Sequence, residues 1–220
     1  IRNQLYDGIA TKQLYKLAFK MLKKKSNAHA ARYNLKTALE LLGPSGFLFE
    51  KFVSHLFSNE DYKTDSNLIL QGHCVSHEID ILVKKDNKIG MVECKFHSGK
   101  NVKSDVKVPM YILSRFNDVK EIQHDALQKH EYISDCWIVT NNRFTLDAIT
   151  FASCMGLNLL SWDYPKKNSI RSKIDSQRLY PLTALTTLTR GEKESLLQLD
   201  IILVSELIAH RRYLYEIGLA

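Results

Sequence analysis

The 220 residues are 45% hydrophobic and 25% charged. That is enough apolar material for one ordinary domain plus a small appendage, and it is not a disordered composition. The formal net charge of +7 suits a polyanionic partner, nucleic acid first among them. The longest apolar run, around Ile201–Val204, is short and bounded by Asp200 and Glu206, so no membrane span is expected.

The chain opens on Ile1 rather than Met, so an N-terminus that is trimmed, disordered or cut at an artificial boundary is expected; no secretory signal pattern is read. Cys74, Cys94, Cys136 and Cys154 form no CxxC pair and no zinc-spaced cluster. A reduced, cytoplasmic protein without disulfides is expected.

In chain order, Leu14, Leu17, Ala18, Met21 and Leu22 recur at helical spacing over Thr11–Lys25, and the basic run Lys23–Lys25 suits a helix C-terminus. A second helix is expected over Ala28–Leu42, broken by Gly43-Pro44, and a third over Gly46–Phe57 with Ser45 as its cap. Three strands follow at Asn67–Gln71, Val75–Val83 and Lys88–Phe96, the last two joined by a turn at Lys85-Asp86-Asn87. Val102–Phe116 reads as a helix with Pro109 in its first turn or at a kink, Cys136–Thr140 as an apolar strand, Thr145–Met155 as a helix and Leu157–Trp162 as a final strand. Pro165–Ser176 reads as a polar linker, followed by helices over Glu192–Leu197, Ile201–His210 and Arg211–Ile217. The expected fold is therefore α/β, a mixed central sheet flanked by helices, with helical N- and C-terminal extensions. The expected domains are a helical segment at 1–43, a core at 44–165 and a small helical unit at 176–220.

The two central strands carry the chemistry. Side chains alternate along a strand, so Glu78, Asp80 and Leu82 share one face, opposite Ile79, Ile81 and Val83. Glu93 and Lys95 likewise point away from Val92, Cys94 and Phe96. Two neighbouring strands then bring Asp80, Glu93 and Lys95 to one side of the sheet. Two carboxylates offer hard oxygen ligands to Mg²⁺, or to Mn²⁺, and the Cys94 carbonyl lies between the two side chains as a further donor. A lysine beside such a site can orient water and offset charge on a phosphate. Acid-x-Lys occurs five times in the chain, but only Glu93-Lys95 ends an apolar strand directly after another strand carrying a carboxylate. A solvated hairpin face with a cross-strand ion pair is the other meaning of the pattern.

The stretch from Gly46-Phe47-Leu48-Phe49-Glu50 through His77–Val83 to Val92–Phe96 resembles the Mrr-like branch of the PD-(D/E)XK restriction-endonuclease-like nucleases. The likeness continues through Ser104–Tyr111, Arg115-Phe116, Thr140–Thr145 and Ser161–Pro165, and more narrowly the chain is similar to bacterial members with an ATP-cone domain ahead of the nuclease. The resemblance implies a Mg²⁺-dependent endodeoxyribonuclease acting in restriction or DNA repair. Asp80 and Glu93, with the Cys94 carbonyl, would be metal ligands, Lys95 the water-positioning residue and Glu50 an auxiliary helical carboxylate. The proline that names the class is replaced by Ile79 before Asp80. Ile1–Lys25 resembles only the last helices of an ATP cone, so nucleotide binding is expected only of a chain that carries the rest of that domain.

Lys100, Lys103, Lys107, Arg115 and Arg143 follow the active strands and are candidates to hold DNA phosphates, Arg115 or Arg143 on the rim of a groove. His77, Glu78 and His97 are given ordinary surface roles, and Asn141-Asn142 turn chemistry. The C-terminal helices are similar to a helix-hairpin-helix unit without its Gly-rich hairpin, which leaves packing or a homodimer contact beside duplex binding. Two rivals stand against the nuclease: a non-catalytic DNA-binding or regulatory module of the same fold, and a structural protein assembled through its C-terminal helices.

Overall fold

The computed structural model describes residues 6–99, 102–124, 127 and 131–218. Three helices come first: α1 (Thr11–Lys25), α2 (Asn27–Tyr33) and α3 (Leu35–Glu40). Ser26 caps α2, its Oγ accepting from the His29 amide. The single helix expected over Ala28–Leu42 is broken at Asn34, whose φ of −96° and ψ of 10° leave the helical region. Asparagine competes with the helix for its own backbone, which makes it a natural break point.

The α/β part follows: α4 (Phe47–Ser58), β1 (Lys63–Gln71), β2 (Ser76–Lys85), β3 (Lys88–Lys95), β4 (Lys103–Ser104), α5 (Lys107–Val119), β5 (Ile133–Thr140), β6 (Arg143–Phe144), α6 (Leu146–Cys154), β7 (Asn158–Ser161) and α7 (Ile170–Gln177). A 3₁₀ turn at Leu182–Ala184 leads to α8 (Arg190–Gln198), α9 (Val204–Ala209) and α10 (Arg212–Glu216). The chain divides into two units, Leu42–Leu179 and a helical unit of Ile1–Leu41 with Tyr180–Ala220.

In the α/β unit, five strands form a mixed sheet in the order β1-β2-β3-β5-β7. The β1/β2 and β2/β3 pairs are antiparallel, and the β3/β5 and β5/β7 pairs are parallel. Asp86 and Asn87, both at positive φ, form a two-residue turn closed by the Lys85↔Lys88 pair. Such a turn sets the register of the hairpin. One face of the sheet packs on α4, where Phe57 meets Trp137 edge-on at 5.4 Å and Phe49 meets Phe96 at 5.7 Å. On the other face Leu82, Met91, Cys136 and Ile138 share a core with Ile112 of α5 and with Ala148 and Ala152 of α6. Gly43 touches this framework so closely that a Cβ there would lie 2.2 Å from the Phe96 ring.

Pro165–Ser176, expected as a linker, holds all but the last residue of α7. Ser169 caps it by accepting from the Ser172 amide, and Ile170 and Ile174 are fully buried. Its Lys173 is almost completely buried and paired with Glu60, which also accepts from Gln177 Nε2 at 2.8 Å. The compact unit that holds the sheet runs on through α7 to Leu179. Removing one partner of a buried ion pair strands the other charge. Glu60→Ala is expected to destabilise the protein by about 3 kcal/mol, read from chemical denaturation, whereas Glu60→Gln should cost less because an amide oxygen still accepts.

In the helical unit, the two terminal segments form one body where sequence suggested two. Thr183 Oγ1 donates to the Ala38 carbonyl at 2.6 Å. A bridge between Pro181 and Leu203 is extended by Leu182 N to Ile202 O at 2.7 Å and Val204 N to Tyr180 O at 3.0 Å. Thr189 and Glu192 cap α8 reciprocally. Among the described residues, no helix is long and apolar enough to cross a membrane.

Candidate active site

The pairing of β2 with β3 stops at Ile81↔Val92. The next positions in that register are Asp80 and Glu93, so they stand opposite each other where the two strands part. β3 stays paired with β5 through Lys95↔Thr140, and Thr140 Oγ1 donates to the Lys95 carbonyl at 2.7 Å. The fork thus opens on the β2 side only. Asp80 fills it in part: its Oδ2 accepts from the Cys94 amide at 2.7 Å. The amide and carbonyl of one residue leave a strand on the same edge, so the Cys94 carbonyl is turned to the Asp80 side as well.

Glu93 is buried, with 1% of its side chain exposed. Its Oε2 accepts from Arg115 Nη1 and lies 3.9 Å from Lys95 Nζ. Its Oε1 is buried and has no hydrogen-bond partner. An orphaned carboxylate oxygen is costly in a folded protein and calls for a ligand. Burial, and then the Asp80 charge, push the Glu93 carboxyl up to about 7 despite Arg115 and Lys95. Asp80 is raised as well, first by burial, although the Cys94 amide, Lys95 and Arg115 oppose the shift. Glu50, in the first turn of α4, is pushed up to about 7 by burial and by the charges of Asp80 and Glu78, offset by Lys95. A Cβ on Gly46, which sits at a φ of +85°, would lie 3.3 Å from Glu50 Oε1.

Glu50 and Glu93 each feel the charge of Asp80. Lys95 joins them with a third of its side chain exposed, facing solvent. Among the described residues, no group of three or more His, Cys, Asp and Glu side chains is arranged to hold a metal ion. What the fork offers a cation is the Asp80–Glu93 pair and the Cys94 carbonyl.

The basic candidates divide. Arg115 is turned inward, only 13% exposed, and besides Glu93 its Nη2 donates to the Glu78 carbonyl. It is a counter-charge within the site rather than a rim residue. Lys103 and Arg143 sit side by side across the parallel β4/β6 ribbon, and Arg143 Nε pairs with Asp163 at 2.6 Å. Lys107 opens α5 with its amide bonded to Asp105 Oδ1 at 3.0 Å, and its side chain is exposed. Lys100 lies outside the described residues.

Other residues act on the backbone. His77 is bonded to Asp118 at 2.7 Å, and that contact, with the Cys74 and Val75 amides, holds the Asp118 carboxyl below its usual range. Glu78 serves through its carbonyl and its charge. Asn141 is buried and clasps His97 twice, accepting from its amide at 2.8 Å and donating to its carbonyl at 2.9 Å. Asn142, also buried, donates to the Gly99 carbonyl at 2.6 Å. These amides pin the loop that leaves Lys95, a role more specific than turn chemistry. The signal for it was two adjacent asparagines at the end of an apolar parallel strand. Asn67 was not singled out by sequence. It sits at a φ of 57° between Ser66↔Ile81 and Leu68↔Ile79, and so opposite Asp80 on its other side.

Against known families, residues 42–164 match the Mrr_cat model, described as restriction endonuclease, and residues 180–220 match AF1548-like, C-terminal. An uncharacterized protein of Archaeoglobus fulgidus is 33% identical over 169 residues, covering 76% of this chain and 91% of that one. A crystal structure described as a protein of unknown function, AF1548, aligns with a TM-score of 0.64 and 31% identity over 79% of this chain and 89% of that one.

Proposed function

The chain belongs to the Mrr_cat restriction endonuclease family, and from that premise we propose that it is a divalent-metal-dependent endodeoxyribonuclease whose reaction centre is the fork between β2 and β3. The observation that carries the proposal is the buried, unpartnered Glu93 Oε1 beside Asp80. The donor set is hard oxygen throughout, which fits Mg²⁺ or Mn²⁺ held by few protein ligands and several waters. Asp80, Glu93 and the Cys94 carbonyl would hold the cation. When bound, it lowers the pKa of water and offsets charge on a phosphodiester.

The chain's own side chains do the rest. Lys95, exposed on one side and 3.9 Å from Glu93 on the other, orients the attacking water and balances charge on the phosphate oxygens. Arg115 aims Glu93 and favours its charged form against the burial that opposes it. Glu50, close to neutral pH in its titration, is the group best matched to accept a proton from that water. Lys103, Lys107 and Arg143 are proposed phosphate contacts, with Lys100. The natural setting is proposed as cytoplasmic, in restriction or repair of DNA. By the same reading α1 belongs to the close of an ATP-cone-like domain and α2–α3 connect it to the core, with nucleotide binding proposed only where the rest of that domain is present.

One observation favours the non-catalytic rival, namely that no three-residue acidic cluster among the described residues is arranged around a cation position. Against it, a module that only binds DNA has no use for an Asp80–Glu93 pair that repels phosphate. The test is incubation of the protein with plasmid and with linear, branched and single-stranded DNA, with Mg²⁺, with Mn²⁺ and with chelator. Metal-dependent nicking or cutting is the expected result. Binding without cleavage under every condition would favour the rival.

A further inference from the structure

α1 carries Lys12, Lys16, Lys20, Lys23, Lys24 and Lys25, and no acidic residue. With 3.6 residues per turn, the first five fall within an arc of about 120°. Every one of the six is exposed, whereas Leu14, Leu17, Ala18, Met21 and Leu22, on the remaining arc, are half-buried. Like charges four residues apart destabilise a helix, and carboxylates normally relieve them. Among the described residues none of the six forms an ion pair. Lys23 Nζ instead donates to the Thr186 carbonyl at 3.0 Å, and Lys193 Nζ to the Thr183 carbonyl at 3.1 Å, so two ammonium groups converge on one turn. Burial and the Lys23 charge lower the pKa of Lys193. The nearby acids of α8 are engaged elsewhere, Glu192 in its cap and Glu194 with Arg190.

We propose that the α1 lysine stripe is a second nucleic-acid contact, a rail for the phosphodiester backbone carried by the helical unit and distinct from the β2/β3 fork. Lys12, Lys16 and Lys20 are spaced about 6 Å along the axis, so each meets a different phosphate. The contact is independent of base sequence. A bilayer is the other polyanionic surface a basic amphipathic helix can meet, but that mode needs an open apolar face. Here the exposed face is cationic and the apolar arc is partly covered. That the polyanion is DNA rests on the nuclease reading.

The test uses the full chain in chelator, where no cleavage occurs, and follows fluorescence anisotropy of a labelled duplex and of its single strand as salt is raised. Lys12→Gln/Lys16→Gln/Lys20→Gln is expected to weaken binding by roughly tenfold or more at low salt. It should also flatten the slope of log K against log salt by about 2–3. The corresponding triple arginine variant should bind as the wild type does, with circular dichroism reporting an intact fold in both. Should the glutamine variant lose helicity, Lys16→Gln alone is measured, and a loss of about threefold with a slope change near 1 is expected. An unchanged affinity and slope would overturn the proposal. So would capture of the wild type by phosphatidylserine vesicles, lost in the glutamine variant while DNA affinity stays the same. Absence of cleavage by the wild type with Mg²⁺ and with Mn²⁺, with the salt-dependent α1 contribution intact, would refute the nuclease reading alone.

Discussion

Asp80→Asn and Glu93→Gln proteins are expected to lose metal-dependent cleavage by roughly 100-fold or more, while folding as the wild type does. Each exchange removes one ligand charge from the fork and keeps the shape of the side chain. The amide introduced by Asp80→Asn retains a carbonyl oxygen for the Cys94 N–H, so the contact that spans β2 and β3 survives. The amide introduced by Glu93→Gln retains an acceptor for Arg115. DNA affinity in chelator should hold or rise in both, because a negative charge facing phosphate disappears. Lys95→Ala should lose cleavage to a similar degree but bind slightly less tightly, since it removes a cation. Calorimetric titration with Mg²⁺ separates the roles: the Asp80 and Glu93 variants should bind the ion far more weakly, whereas the Lys95 variant should bind it as well or better. An Asp80→Asn protein that cuts at the wild-type rate would place the reaction centre elsewhere.

Stability of the metal-free protein should fall as pH rises from about 4.5 to about 7. Glu50 and Glu93 both titrate near 7 in the folded chain and near 4.5 as ordinary carboxyls. In that window the folded state holds protons that the unfolded state has released. Stability is therefore highest below the unfolded value and is lost as pH climbs through the folded one. Below pH 4.5 both states are protonated and the effect vanishes. Glu50→Gln removes the cost of ionising a half-buried carboxylate among Asp80 and Glu78. It is expected to raise stability at pH 8 by on the order of 1 kcal/mol, and to leave it nearly unchanged at pH 4.5. Thermal melts of both proteins at the two pH values in chelator measure this. Equal stabilisation at both pH values would show that the gain is not electrostatic. A site that gains stability when its charge is removed is one selected for something other than folding.

The shared face of the central residues was legible in sequence because strand alternation is a strict local rule. Side-chain alternation in β2 and β3 put Asp80, Glu93 and Lys95 on one face, but a turn read as Lys85-Asp86-Asn87 left the register open; the two-residue turn closed by Lys85↔Lys88 sets Asp80 opposite Glu93. Arg115 obeys no such local rule. Its guanidinium reaches the site from α5, which packs on the same face, 22 residues along the chain from Glu93. Only the packing of Ile112 into the core decides whether it points in or out. α7 was missed because its apolar residues are few and its buried lysine looks like solvent-facing charge until Glu60 is set beside it. The union of the terminal segments rests on contacts such as Thr183 to Ala38, 145 residues apart, where no periodicity within either segment carries information about the other.

The left-handed Asn67 in β1 bears on how the molecule behaves at high concentration. β1 is an outermost strand, and Ile69 on it is 77% exposed. A long, straight strand of that kind is a template on which another chain can add its own backbone, the first step towards aggregates. One residue at positive φ in its middle twists the ribbon and spoils the regular row of amides and carbonyls a newcomer would need. Asparagine tolerates that conformation where a β-branched residue would not. The same residue that flanks Asp80 thus also acts as a gatekeeper, keeping the rim of the sheet closed to its own kind.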